Sequence, residues 1–360
     1  MIVFVIVWIA LCLPVILYAD RNLHRDERMM KKVWKAGYAE KQAVLPNGTV
    51  INFGEGGAGN ATPLLLLHGQ GQAWQDYDAV LPALAQKYHV YALDCHGHGK
   101  SSHDPARYSC KAMTEDFLWF AENVIGAPCV VSGHSSGGIL AANLAATGAG
   151  AISGLLIEDA PFFCVEPEEM RERNAIVWAD GFQIMHDFLN QKETACYNEY
   201  YMRHSVLMGL FGNLRDKAAD SAKRFAQKHP GKPLCIWYIP QSLLRGMYYG
   251  HMYDLRFAET FYSGTWFDGV SQEDILRGVS CPCTYIKAKT GYLVDGKITT
   301  ETAALDLTHA MLCCANTDAD AERVRSLLPG CRSVVTESND HLIHAKYPAL
   351  FIRETEAFLA

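Results

Sequence analysis

The sequence predicts a doubly wound α/β fold: a mostly parallel sheet, an inserted helical segment, and a hydrophobic helix ahead of both. Three observations carry this. Short apolar runs alternate with amphipathic stretches from Pro63 onward. The alternation stops near Pro161 and resumes at Cys283. Residues 2–19 form one apolar run that nothing else in the chain resembles. Strand, helix, strand at short spacing is the signature of parallel strands joined by crossover helices.

The elements follow in chain order. Ile2–Ala19 holds eighteen apolar residues, broken only by Pro14. As a helix it spans about 27 Å, enough for a bilayer core. No basic residue precedes it, and Leu17 and Tyr18 stand where a cleavage site wants small side chains, so an uncleaved anchor is expected over 1–19. Arg21, Arg25, Arg28, Lys31, Lys32 and Lys35 follow it, which favours a cytoplasmic catalytic domain. The alternative is export after cleavage. Residues 20–39 read as a basic helical connector, and Pro46-Asn47-Gly48 as a hairpin turn. Leu64–Leu67, His89–Leu93, Cys129–Val131 and Ile152–Ile157 suit buried strands, with helices over Tyr77–Tyr88, Thr114–Val124 and Gly138–Thr147. Residues 162–272 are rich in Tyr, Phe, Trp and Met without a clear strand, and read as a helical cap. Strands resume at Cys283–Lys287 and Ser333–Val335, with helices at Asp318–Leu328 and after Pro348. The sheet domain is therefore expected over 40–161 and 273–360.

Composition narrows the function. The 360 residues are 49% hydrophobic and 20% charged, too apolar for a disordered chain. A net charge of −7 and the lack of a long Lys/Arg run argue against nucleic acid as a partner. Twelve cysteines without a paired framework read mostly as free thiols in a reducing compartment.

The sharpest motif is Gly133-His134-Ser135-Ser136-Gly137, after a strand and before a helix. A nucleophile on so sharp a turn has a strained backbone, and its Gly neighbours must be small. Ser135 is the expected nucleophile. The helix that follows favours developing negative charge at its N-terminus. His68-Gly69-Gln70-Gly71, after the first central strand, can offer the Gln70 N–H to an oxyanion beside that of Ser136. His68 itself reads as structural. A base must lie within reach of the serine, and His341, in the loop after the last strand, is placed to supply it; His344 reads as structural or rim. Asp94 to Ser101 carries His96, His98 and Cys95, yet its glycines read as a bracing turn. Cys281-Pro282-Cys283 and Cys313-Cys314 lack a second ligand pair, so no metal is expected.

Taken together, His68-Gly69, Asp94 to Ser101, Gly133 to Gly137 and His341 with Pro348 resemble the α/β-hydrolase fold superfamily. The likeness runs from about residue 40 to the end. It is nearest to bacterial alpha/beta hydrolases related to proline iminopeptidases and haloperoxidase-like esterases. Ile157-Glu158-Asp159-Ala160-Pro161 is similar to their strand-six ending. The resemblance implies a Ser–His–acid hydrolase that needs no cofactor. Its acid usually follows strand seven, but here Ala288-Lys289-Thr290-Gly291 lacks the Asp. Asp159, at the exit of strand six, is the expected acid, with Asp295, Asp306 and Glu158 as alternatives. The expected substrate is a small acyl ester, made more lipophilic by an anchored location. The alternatives are a ligand-sensing module of the same fold, or hydrolysis of a C–C bond or thioester.

Overall fold

The computed structural model describes residues 2–239, 244, 247–290, 316–328 and 330–359, with side chains from residue 12 onward. Eight strands form one sheet: β1 (Ala39–Val44), β2 (Val50–Gly56), β3 (Pro63–Leu67), β4 (His89–Leu93), β5 (Cys129–His134), β6 (Ile152–Glu158), β7 (Cys283–Lys287) and β8 (Arg332–Val335). Their order is β1-β2-β4-β3-β5-β6-β7-β8. β1 and β2 form the expected antiparallel hairpin, closing at Val44 opposite Val50. β2 also runs antiparallel to β4, and every pairing beyond is parallel.

Side-chain alternation explains why the sheet is covered on both faces. Leu65, Leu67, Val131, Leu155 and Ile157 point into one core; Leu64, Leu66, Val130 and Leu156 point into the other. All five residues of β3 are buried, which is why it reads as an unbroken apolar run. Burying each leucine is worth about 2 kcal/mol.

Helices α1 (Ile2–Leu23) and α2 (Arg25–Lys35) precede the sheet. Among the described residues no helix is long and apolar enough to cross a membrane. The side chains of residues 1–11 lie outside the described residues. The anchor expected over Ile2–Ala19 is therefore without support from the described residues.

The stretch Tyr77–Tyr88 departs from expectation. It is a 3-10 turn over Trp74–Ala79 followed by a short helix, α3 (Leu81–Leu84). Pro82 has no N–H to give and fits only a first helical turn, so the helix restarts there. Helix α4 (Cys110–Phe120) starts earlier than expected because the Ser109 side chain caps it by accepting from Ala112 N–H. It ends in a single π turn over Ala121–Ile125. Helix α5 (Ser136–Thr147) follows β5 directly.

Between β6 and β7 the described residues are helical: α6 (Pro167–Arg173), α7 (Ala175–Trp178), α8 (Ile184–Asn190), α9 (Tyr197–His204), α10 (Val206–Gly209), α11 (Leu214–Lys228), α12 (Arg256–Tyr262) and α13 (Gln272–Gly278). Their only β pairing among the described residues is an isolated bridge from Tyr253 to His98. Most of the aromatic side chains here are packing. Trp266, Phe261, Phe267, Tyr248 and Tyr249 are buried, while Trp237 and Tyr238 are exposed. Around α9 and α11, Met202, Met208, Ala219 and Leu234 form a separate core. Helices α14 (Asp318–Leu327), α15 (Ile343–Lys346) and α16 (Pro348–Glu356) complete the chain.

Candidate active site

Ser135 stands between β5 and α5 with φ 54° and ψ −124°, a conformation that costs a non-glycine residue energy. Its glycine neighbours are sterically required. A Cβ on Gly133 would lie 2.0 Å from the Gly137 carbonyl oxygen, and one on Gly137 would lie 2.3 Å from that of Leu67. Ser135 N–H donates to the Glu158 carbonyl at 2.9 Å, tying the turn to the end of β6.

The loop after β3 closes on the same turn, since a Cβ on Gly69 would lie 2.9 Å from that of Ser135. Gly69 N–H donates to Gln72 Oε1 (2.9 Å) and Gly71 N–H to His98 Nε2 (2.9 Å). The Gln70 N–H between them has no acceptor among the described residues. Neither has Ser136 N–H, which opens α5 and has no carbonyl a turn behind it. One amide of the loop and the first amide of α5 are thus open on the side of Ser135.

His68 and His98 brace this loop as neutral rings. His68 Nδ1 lies 2.8 Å from Gly69 O and its Nε2 accepts from Cys95 N–H at 2.9 Å. Burial holds its pKa down to about 4. His98 Nδ1 lies 2.9 Å from His96 O, and burial likewise keeps its pKa well below the usual value. His96 pairs with Asp116 at 2.8 Å. Asp94 accepts from Trp74 N–H (2.8 Å), Lys100 N–H (3.0 Å) and Asn52 Nδ2 (2.8 Å). The Asp94 to Ser101 segment is thus a turn built on its own polar groups. Among the described residues no cluster of three His, Cys, Asp or Glu side chains is arranged to hold a metal.

The two acids at the end of β6 part company because side chains alternate along a strand. Asp159, fully buried and at φ 41°, accepts from Ala288 N–H through Oδ1 at 2.9 Å. Its Oδ2 lies 2.6 Å from His341 Nδ1. Glu158 turns the other way and meets His344: Oε1 lies 2.8 Å from Nδ1 and accepts the His344 backbone N–H at 2.7 Å. His344 Nε2 lies 2.9 Å from Asp76. The structure therefore pairs Asp159 with His341, sets Ser135 against the loop that carries Gln70, and pairs Glu158 with His344 in a second, wholly buried acid–histidine contact. Asp295 and Asp306, like Cys313 and Cys314, lie outside the described residues.

Burial alone would lower the pKa of His344, but Glu158 and Asp76 on either side outweigh it and raise it to about 10. Two further groups escaped the sequence reading. His134 Nε2 lies 3.0 Å from the His341 carbonyl, and its Nδ1 lies 3.0 Å from Gln72 Oε1. The His134 residue of the serine motif and the loop after β3 thus jointly hold the backbone of His341. Above the loop, Gln70 Nε2 reaches Gly181 O (3.5 Å) and Met185 Sδ (3.9 Å), so the start of α8 overhangs it.

The model of the alpha/beta hydrolase family matches residues 64–354. Among curated proteins, the magnesium-chelatase 30 kDa subunit of Rhodobacter capsulatus is 37% identical over 90 residues, 25% of this chain and 32% of that protein. Bifunctional epoxide hydrolase 2 of Sus scrofa is 33% identical over 105 residues, 28% of this chain and 19% of its own. An sn-1-specific diacylglycerol lipase of Danio rerio is 30% identical over 105 residues, 29% of this chain and 33% of its own. The matches thus span a third or less of these relatives' length. Among solved structures, a putative lipase from Acinetobacter baumannii AYE has a TM-score of 0.61 at 17% identity, covering 92% of this chain and 94% of that one. The enol-lactonase of Burkholderia xenovorans LB400 has a TM-score of 0.56 at 18% identity, covering 89% and 99%. At such identities the likeness is one of fold.

Proposed function

Since the chain belongs to the alpha/beta hydrolase family, and is by that membership a hydrolase, we propose that it is a serine hydrolase that cleaves a carboxylic ester or related acyl bond. The observation that carries this reading is the 2.6 Å contact of Asp159 with His341, at the strand end beside the strained Ser135. In the proposed reaction His341 Nε2 takes the proton of Ser135 Oγ as the oxygen attacks the acyl carbon. Asp159 keeps the other ring proton on Nδ1 and stabilises the imidazolium that forms. The open amides of Gln70 and Ser136 receive the oxyanion. His341 returns the proton to the departing alcohol. Water, deprotonated by the same ring, then releases the acid and restores Ser135.

Met185 above the oxyanion loop supports a small, lipophilic acyl group as substrate. The test is turnover of a panel of p-nitrophenyl esters by wild type and Ser135→Ala. The reading predicts turnover that the substitution abolishes. A wild type inert on every ester, with ligand binding retained, would favour a sensing module instead.

We further propose membrane attachment through Ile2–Ala19, with the catalytic domain on the cytoplasmic side. The support is the uncharged run and its basic flank in the sequence. Association of the full chain with membranes that resists alkaline carbonate, lost when residues 1–20 are removed, is the expected outcome. A chain washed off by carbonate would contradict it.

A further inference from the structure

Ser135 and Asp159 lie where parallel strands end. Three cysteines gather at the opposite, starting edge of the sheet. Cys283 opens β7 and Cys331 directly precedes β8. The parallel register sets Thr284 opposite Arg332, so Cys283 and Cys331 face each other one step further out. The Cys331 thiol donates to the Cys283 sulfur, with the two Sγ atoms 2.8 Å apart. Cys281, two residues earlier, belongs to the same half-buried patch, and all three pack against the core that holds Leu155 and Tyr285. Opposed positions on neighbouring strands are separated by about 5 Å, within the range a disulfide spans.

We propose that Cys283 and Cys331 form a reversible thiol–disulfide pair, closed by a small disulfide such as oxidised glutathione. Cys331, as its thiolate, attacks one sulfur of the small disulfide, forms a mixed disulfide and expels one thiolate. Cys283 then loses its proton and attacks the Cys331 sulfur, and the second small thiolate leaves. The protein pair gives up two electrons and two protons; the small disulfide becomes two thiols. The partial exposure of the patch gives the oxidant access.

The consequence is mechanical. β8 is an edge strand, paired with β7 alone, and its first and last residues are exposed. The loop that follows it carries Asp340 and His341. A bond at the start of β8 fastens this strand to β7 at the point where pairing otherwise begins unaided.

The test uses the full chain and needs no substrate, so it stands apart from the hydrolase reading. The protein is equilibrated with oxidised glutathione, remaining thiols are alkylated, and the non-reduced digest is analysed by mass spectrometry. The expected result is a Cys283 peptide joined to a Cys331 peptide, lighter by two hydrogens than their sum and separated by dithiothreitol. The oxidised wild type shows a higher Tm than the reduced form. Cys331→Ser shows no such Tm response, while Cys281→Ser keeps both the linked peptide and the Tm rise. Recovery of Cys283 and Cys331 as alkylated or glutathione-bearing peptides, or of Cys331 joined to a different cysteine, would overturn the proposal. The wild-type map decides even if Cys331→Ser fails to fold.

Discussion

At the scale of single residues the site turns on parity. Glu158 and Asp159 are adjacent, yet one faces His344 and the other His341. The alternation of side chains along a strand made that division legible beforehand. The partner of the second pair was not legible, because Asp76 is 268 residues from His344 and carries no local mark. For the first pair, Asp159→Asn removes the acceptor that sets the His341 tautomer. Ester turnover is expected to fall about 10³–10⁴-fold, with the circular dichroism spectrum unchanged. For the second, His344→Gln removes the buried cation that lies between Glu158 and Asp76, at a cost of about 3–5 kcal/mol in denaturant unfolding near neutral pH. The pH dependence has a definite sign. The folded pKa of about 10 lies above the ordinary 6.5, so the stabilisation is complete below pH 6.5 and is lost as pH climbs through 10. The stability gap between wild type and His344→Gln should be widest at pH 6 and narrow above pH 10.

At the scale of elements, the strand–turn–helix around Ser135 works because backbone crosses backbone. The predicted Cβ of Gly137→Ala would meet the carbonyls of Leu67 and His68 at 2.3 and 2.4 Å, and neither main chain can swing aside as a side chain could. That substitution is expected to destabilise the fold by more than about 2 kcal/mol, read as a lowered urea midpoint. The strands were legible in advance because each is a short apolar run with both faces buried. The stretch Tyr77–Tyr88 was misread as one helix because its amphipathic pattern outlasts the break that Pro82 enforces. The brace formed by His134, Gln72 and the His341 carbonyl was invisible for another reason. It joins loops from three strand ends, and only the sheet order brings those ends together.

At the scale of the whole molecule, the two helices that precede the sheet differ in what they contribute. Met30 and Val33 of α2 are buried in the core beneath Leu64 and Leu66, and Arg25 reaches Asp78 at 3.7 Å. In α1, Leu13, Val15, Ile16, Leu17 and Tyr18 are exposed. A chain beginning at Arg25 should therefore keep the Tm of the remaining domain. One beginning at Gly37 should lose about 5–15 °C by differential scanning calorimetry, the loss expected for unburying two large apolar side chains. Covalent capture of Ser135 probes the chemistry proposed for the strand ends of this sheet. The full-length protein is treated with a fluorophosphonate and the modified peptide is mapped by mass spectrometry. The expected result is a single phosphonyl adduct on Ser135, absent from Ser135→Ala and strongly slowed in Asp159→Asn. An unmodified Ser135 in folded wild type, or labelling that persists in Ser135→Ala, would contradict it.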